Sequence, residues 1–463
     1  MHVSCLFAVS PTGCLVNLLA RRFKKKQIMK KTLLSAALLA ACVADMSAQK
    51  IKFIPFTENT SIWASCISEN GKYVGGTCRD LRAFLYNVET GEIKYFTPTE
   101  PDAGDGSEND ANVYAVSNDG IGAGYIDYAA ASFNFAAGDF TKVLPGETDH
   151  SLLKFTTADG SFTAGSTYDA AYTQSPFYMA DGVKYDLPTP SEEWLGFESN
   201  GFSLYGGNAD GSVLVGYAND DFDTHPLMLW VRNADGKTYS AETLCRQYVD
   251  TSFELDGPQK YDMFEGAAIS ANGEWLAINW HDKTAGEDMG MGIGRFNLKN
   301  YTLEIITCPA EGPDVYNYAN SISNDGTIVG YSESQLTYGR TALICKGGET
   351  TAKLLSDEFP ALQELKVMDS YEFNTPNMIT ADGRYITGFG YQDLDEQNLA
   401  YASYVIDTQA ETGAVEGVEV AEKANKVVAA YGIDGKKTSQ ASGAAKRLTV
   451  NRYANGAVRK VVK

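Results

Sequence analysis

The sequence predicts an all-β protein: a seven-bladed β-propeller closed by its N-terminal strand and followed by a small C-terminal β appendage. Three observations predict it. A turn motif (Ser, Thr or Asn; any residue; Asn or Asp; Gly) occurs seven times, at 68–71, 117–120, 157–160, 208–211, 270–273, 323–326 and 380–383. Its glycines lie 40 to 62 residues apart, the length of a four-stranded unit that buries its faces only by packing on neighbours like itself. The composition, 44 glycines, 27 tyrosines and 21 phenylalanines against 14 prolines, fits many short strands joined by tight turns.

The chain opens with an address. Residues 1–48 read as an export signal, with Lys30 and Lys31 as the charged n-region, residues 33–41 as the apolar stretch, and Met46-Ser47-Ala48 as a small-residue cleavage site before Gln49. Residues 1–28 precede an otherwise complete signal, so Met29 reads as the start of translation. The apolar stretch falls short of the roughly 20 residues that a spanning helix needs, and no transmembrane span is expected. Leu39-Ala40-Ala41-Cys42 also has the form of a lipoprotein signal whose Cys42 is acylated. Cleavage before Gln49 gives a soluble exported chain and acylation at Cys42 an anchored one; both readings stay open.

Residues 49–410 hold the repeats. Asn-Gly or Asp-Gly between apolar stretches signals a hairpin, because both residues tolerate positive φ and the turn then matches the twist of the strands. The hydroxyl or amide two places earlier accepts backbone N–H bonds and tightens the turn. The Asn and Asp of these motifs are therefore structural. A strand follows each turn, as in "VGGT", "VLVGY" and "TIVGY", with a second glycine four or five places after the first in six of the seven copies, where neighbouring backbones approach closely. A third strand, a polar turn and a fourth strand complete the unit, as in "AFLYNVETGEIKYF". The seventh copy supplies only three. "KIKFIPF", residues 50–56, matches the first unit's fourth strand, "EIKYFTP", and pairing it into the last blade closes the ring and removes two exposed edges.

These units resemble HAF-type extracellular repeats and, more loosely, the repeats of TolB-like propellers, over residues 50–408. The resemblance implies the propeller fold and an exported protein; it implies no activity. Residues 411–463 read as a linker and a sorting-like tail. "AYGIDGKK" and "YANGAVRKVVK" resemble the strand-turn-strand and final strand pair of the C-terminal sorting domain of the type IX secretion system of Bacteroidota, which implies that machinery as a partner. Leu448-Thr449-Val450 departs from the family pattern.

Charge narrows the partners. Residues 49–417 carry 21 basic and 55 acidic residues, whereas the tail from Val418 carries 10 and 3. An acidic body repels nucleic acid and anionic lipid, so no nucleic-acid partner is expected. Five cysteines follow the signal, Cys66, Cys78, Cys245, Cys308 and Cys345. Their odd number and wide spacing form no disulfide framework, and they read as small core residues, with a bridge between Cys66 and Cys78 as the alternative.

An antiparallel meander places alternate connections on opposite faces. The short turns trim one face, and the connections between second and third strands read as long loops on the other. These carry the candidate ligand-binding residues: Tyr128, Tyr168, Asp169, Asp223, His225, Trp280, His281, Asp282, Tyr338, Arg340 and Tyr391. Aromatic faces beside carboxylates suit sugars and also a cationic peptide; the plainer reading has the tyrosines packing blade edges. His281 beside Asp282 could act as a base, but a lone histidine more often serves structure. With so many acids, the sequence selects no glycosidase carboxylate pair, and no catalytic residue is named. "DAGDGSENDAN", residues 102–112, is rich enough in oxygen ligands to leave calcium open, although it fails the ordered calcium-loop pattern; no other cofactor or metal is expected. The function expected is a secreted or cell-surface propeller that binds a glycan or protein ligand on its loop-rich face without catalysis. The alternative is a secreted hydrolase or lyase using carboxylates of the same loops.

Overall fold

All seven turn glycines adopt the left-handed backbone, with φ between 66° and 86°, and each closes the hairpin between the first and second strands of a four-stranded antiparallel meander. Repeat 1 shows the chemistry. The buried Ser68 hydroxyl donates to Asn70 Oδ1 at 2.7 Å and accepts the amides of Lys72 and Tyr73. The same bond joins Thr157 to Asp159 and Thr380 to Asp382, and it holds the exposed Asp159 carboxyl down at about 2. The turns are also stapled to one another. The Asn70 amide N–H and Nδ2 donate to Oδ1 and the carbonyl of Asn118, and Asn272 does the same with Asn324. Asn118 N–H donates to the Ala158 carbonyl and Asn324 N–H to that of Ala381. Ala381 N–H then donates to Glu69 Oε2 at 2.7 Å, which ties the seventh turn to the first.

The structure is a computed structural model and describes residues 51–55, 61–99, 110–144, 150–195, 199–219, 227–243, 261–282, 291–312, 314–367, 371–395, 398–410, 427–431, 437–438, 448–453 and 458–462. The export signal with Cys42, most of the acidic segment 102–112, Asp223, His225 and Cys245 lie outside these residues. Repeats 1 to 6 span 62–96, 111–142, 151–186, 202–243, 261–306 and 315–354. Repeat 7 supplies Asn374–Ile379, Tyr385–Asp395 and Asn398–Asp407, and its fourth strand is Ile51–Phe53, with Ile51 opposite Ile406 and Phe53 opposite Tyr404. Each repeat packs on the next and the seventh on the first. Repeats 5 and 6 share one eight-stranded sheet through a parallel bridge from Met291 to Tyr316. Between them lies Arg295, 1% exposed, ion-paired with Glu304 and donating to the carbonyls of Gly326 and Glu349; its charge is buried because every face of the guanidinium is satisfied.

The core fills the spaces between sheets, as where Cys66 and Leu85 of repeat 1 meet Val113 and Phe133 of repeat 2. Cys66, Cys78, Cys308 and Cys345 are free and buried; burial pushes the thiols of Cys66, Cys78 and Cys308 up to about 12, so they serve as apolar packing. Residues Lys50–Gln409 form one compact unit. The C-terminal strands belong to another, a sheet in the order Lys437–Thr438, Val427–Tyr431, Leu448–Tyr453, Val458–Val462. No helix among the described residues is long and apolar enough to cross a membrane.

The first strand of every repeat is interrupted by a β-bulge. Register shifts between Ala64 and Cys66, Val113 and Ala115, Leu153 and Phe155, Leu204 and Gly206, Phe264 and Ala268, Ala319 and Ser321, and Pro376 and Met378. The second glycine of the repeat sits opposite the residue just before the bulge. A Cβ on Gly76, Gly124, Gly165, Gly216 or Gly330 would stand 1.8 to 1.9 Å from a first-strand carbonyl oxygen, a distance no side chain tolerates. Repeat 5 has Ile278 in that place, and there the shift spans three first-strand residues, since Phe264 pairs with Asn279 and Ala268 with Ala277. A bulge costs ladder bonds, and the preceding repeat replaces them. Ala64 N–H donates to Ser403 Oγ, Leu204 N–H to Ser166 Oγ and Ala319 N–H to Asn279 Oδ1, all at buried side chains.

The connections between second and third strands correct the sequence reading. The connection at 127–128 is a two-residue turn with Asp127 and Tyr128 both at positive φ, and 396–397 joins two long strands in which Tyr391 pairs with Tyr401. At these two connections the long loops expected are instead short, because cross-strand pairing continues to Ile126 opposite Ala129 and to Asp395 opposite Asn398.

Two substitutions test the bulge account by denaturant unfolding. Gly216→Ala is expected to cost about 3 kcal/mol, in the range of overpacking against backbone, whereas Gly206→Ala, whose Cβ meets nothing within 4 Å, leaves stability near wild type. Equal midpoints for the two would refute the close approach. Ser166→Ala strands the buried Leu204 N–H and is expected to cost about 1–3 kcal/mol; an unchanged midpoint would show that the amide has found another acceptor.

Candidate functional site

In six of the seven repeats the bulge puts one residue into the wall of a central channel. That residue stands three places before the turn motif: Ser65, Tyr114, Lys154, Tyr205, Asn320 and Asn377, with Ala267 at the same position in repeat 5. Those first six line a cavity of about 830 Å³. The inner strands run from the bulge toward the turn motifs, and the cavity extends to Glu69, Asn272 and Asn324 of those motifs, so it lies toward the turn-bearing face.

The bulge residues differ in chemistry and in what fixes them. Asn320 Nδ2 donates to the Pro376 carbonyl at 2.8 Å and Asn377 Nδ2 to the Ala64 carbonyl at 2.6 Å, each reaching the residue before the next repeat's bulge. The Ser65 hydroxyl donates to Asn112 Oδ1 at 3.3 Å. These bonds orient the side chains and leave each amide Oδ1 as an acceptor. Repeats 2, 4 and 6 carry tyrosine pairs: Tyr114 on Tyr125 at 5.9 Å, Tyr205 on Tyr217 at 5.0 Å, and Tyr318 on Tyr331 at 5.0 Å. The Tyr125 hydroxyl donates to the Asp110 carboxylate at 2.5 Å. Burial pushes the Tyr114 phenol up to about 12 and raises Tyr125 further still, so these rings stay neutral hydrogen-bonding groups.

Two charged side chains are among the cavity's lining residues, Glu69 and Lys154. Glu69 accepts the Ala381 N–H, and burial raises its pKa above the ordinary carboxylate value. Lys154 Nζ lies 3.3 Å from the centroid of the Tyr114 ring. Burial pulls its pKa down to about 8, with no carboxylate contributing to hold the charge.

The residues read from sequence fall into separate groups. Tyr128, at φ 60°, stacks on His150 at 4.5 Å, and His150 meets the edge of Tyr172. Asp169 organises its own turn, its Oδ1 accepting the amides of Ala171 and Thr173. Tyr168 ends a strand, and its phenol pKa is raised by burial and by Tyr217 of the adjoining repeat. Trp280, His281 and Asp282 lie in the strand Trp275–Asp282, where loop was expected, and Trp280 packs over Gly292. Arg340 is paired with Glu333 and sits 4.8 Å from the Tyr331 ring and 5.1 Å from Phe373, which also meets Tyr391 at 4.3 Å. Tyr338 is 69% exposed at φ 56°, as Tyr172 is at φ 61°. The structure thus brings Arg340 and Tyr391 together, and Arg340 against the cavity's own Tyr331. None of the described candidates itself lines the cavity. The channel residues were missed although a signal existed: the position three before each motif, next to the residue that faces the second glycine.

No protein-family model matches this chain, and no curated protein matches it. Among solved structures it is similar to an oligogalacturonate lyase from Vibrio parahaemolyticus, at 12% identity and a TM-score of 0.49 over 77% of this chain and 93% of that one. It is similar to TolB from Acinetobacter baumannii at 11% identity and a TM-score of 0.37, over 65% and 67%. The β-propeller domain of Cps50 (Swd1) from Myceliophteria thermophila follows at 10% and 0.44, over 77% and 99%. The β-propeller is assigned from the chain's own sheets: seven described meanders, each packed on the next, the last completed by the N-terminal strand.

Proposed function

We propose that this chain is an exported binding propeller that holds a glycan against its central channel without turning it over. The observation that carries the reading is the lining: the rings of Tyr114, Tyr205, Tyr318 and Tyr331, the first two backed by Tyr125 and Tyr217, share the cavity with the amides of Asn320 and Asn377 and the hydroxyl of Ser65. Sugar C–H faces stack on aromatic rings, and sugar hydroxyls need the donors and acceptors that amides and phenols offer. The exposed rings of Tyr172 and Tyr338 support a further contact surface on the opposite, loop-bearing side. Both occupy left-handed backbone at a cost of about 1–2 kcal/mol each, which points to a use for the rings themselves. Export is supported by the charged, apolar and small-residue segments before Gln49, and delivery through type IX secretion by the resemblance of the tail.

A glycan array with product analysis on the chain from Gln49 tests the binding reading. Retention of a glycan without product is expected, weakened about ten-fold, or ~1.4 kcal/mol, by Tyr205→Ala or Tyr318→Ala. Release of a shortened or unsaturated product would replace it with the hydrolase or lyase reading, and exclusive capture of a protein ligand would replace the glycan. Undiminished binding by both tyrosine variants would remove the channel as the site. For the address, deletion of residues 418–463 is expected to abolish surface delivery; unchanged delivery would refute the sorting role.

A further inference from the structure

Lys154 is the feature of the channel that the binding of a neutral sugar does not use. It is the cation among the cavity's lining residues in a body where acids outnumber bases more than two to one. Ordinary packing would give a half-buried ammonium a carboxylate. Here its described neighbour is the face of Tyr114, backed by Tyr125, whose hydroxyl is held in turn by Asp110. A ring face stabilises a cation only weakly, and burial works against the charge, pulling the Lys154 pKa down. The titratable side chains on the strands packed around Lys154 are phenols: Tyr114, Tyr125, Tyr168 and Tyr205. Asp110 adjoins that set, bonded to Tyr125, and Glu69 lines the same cavity, bonded to the Ala381 amide.

We infer that Lys154 receives an anionic substituent of the bound glycan, a carboxylate or a sulfate, against the Tyr114 ring. The inference rests on the glycan reading for the body of the ligand and on Lys154 alone for the charge. A ligand anion supplies a counter-charge that no carboxylate among the described residues gives Lys154, so the ammonium is destabilised when the channel is empty and stabilised when it is filled. Lys154 is then a specificity residue held at a cost to the fold. The sign of the pH effect follows. An anion favours the protonated amine and raises its midpoint above about 8, and binding of the anionic ligand weakens as pH rises through that midpoint.

The test uses matched neutral, uronate-bearing and O-sulfated oligosaccharides of one backbone, titrated calorimetrically into the chain from Gln49. An anionic form is expected to bind about ten-fold more tightly than the neutral one, with the uronate or the sulfate identified by which shows the gain. The gain disappears in Lys154→Met, persists in Lys154→Arg, and fades between about pH 7 and about pH 9.5. Lys154→Met is also expected to melt higher than wild type at pH 7. Equal binding of neutral and anionic forms, or a gain that survives Lys154→Met, overturns the inference and leaves the glycan reading standing. A second readout is independent of any sugar: the Lys154 side-chain NMR resonance is titrated with pH in sodium acetate and in sodium sulfate. A raised midpoint supports an anion seat even where no glycan binds, and a midpoint unmoved by both salts overturns it.

Discussion

The structure depends on one close approach, a first-strand carbonyl lying directly over the Cα of the second glycine. At Gly76 the Trp63 oxygen occupies the space a Cβ would need, and at Gly216 the Ser203 oxygen does. Two strands that near cannot remain in simple register, so the inner strand takes up an extra residue. The turn glycine adds its own constraint. Gly71 must adopt positive φ, and a side chain there would also strike the ring of Tyr385, just as one at Gly120 would strike Tyr73 and one at Gly211 would strike Phe162. The two glycines therefore serve two ends: the first shapes the hairpin and, in repeats 1, 2 and 4, lets an aromatic of the preceding repeat pack over it, and the second, where it is present, forces the bulge.

How far this could be read from sequence follows from the range of each interaction. The hairpins, the four-stranded repeat and the closing strand were legible because they rest on local chemistry: a Ser or Thr hydroxyl, an Asn or Asp carbonyl and a glycine within four residues, or the likeness of "KIKFIPF" to "EIKYFTP". The bulge was half legible. The glycine was noticed and its close approach expected, but the consequence falls on the partner strand, and register between strands is set by contacts that a linear reading does not hold. Loops were over-read for the converse reason. The stretches around Tyr128 and after Tyr391 read as loop, yet a turn with two positive φ angles and an extended Tyr391–Tyr401 ladder carry the strands through them.

Interfaces between repeats show the same division of labour. Where the bulge strips the inner strand of ladder bonds, the acceptor comes from the repeat before it: Ser403 for Ala64, Ser166 for Leu204, Asn279 for Ala319. These three side chains are buried polar groups, and each receives one of those amides. Each sheet therefore completes its neighbour's backbone as well as its core. Closure by Ile51–Phe53 does the corresponding work at the seam, since Ser403 lies in the strand that the N-terminal segment pairs with.

The bulged side chain takes no part in making the bulge. In six repeats the glycine facing the residue before it forces it, in repeats 1, 4 and 6 the preceding repeat satisfies the amide beside it, and the turn motif three residues later fixes where it ends. The position can therefore hold serine, tyrosine, lysine or asparagine on one backbone, as the six glycine-bearing repeats do. That freedom separates recognition from folding. A channel built this way keeps its walls while its chemistry is exchanged one repeat at a time, and a residue as costly as Lys154 can stand there because the rest of its repeat does not depend on it.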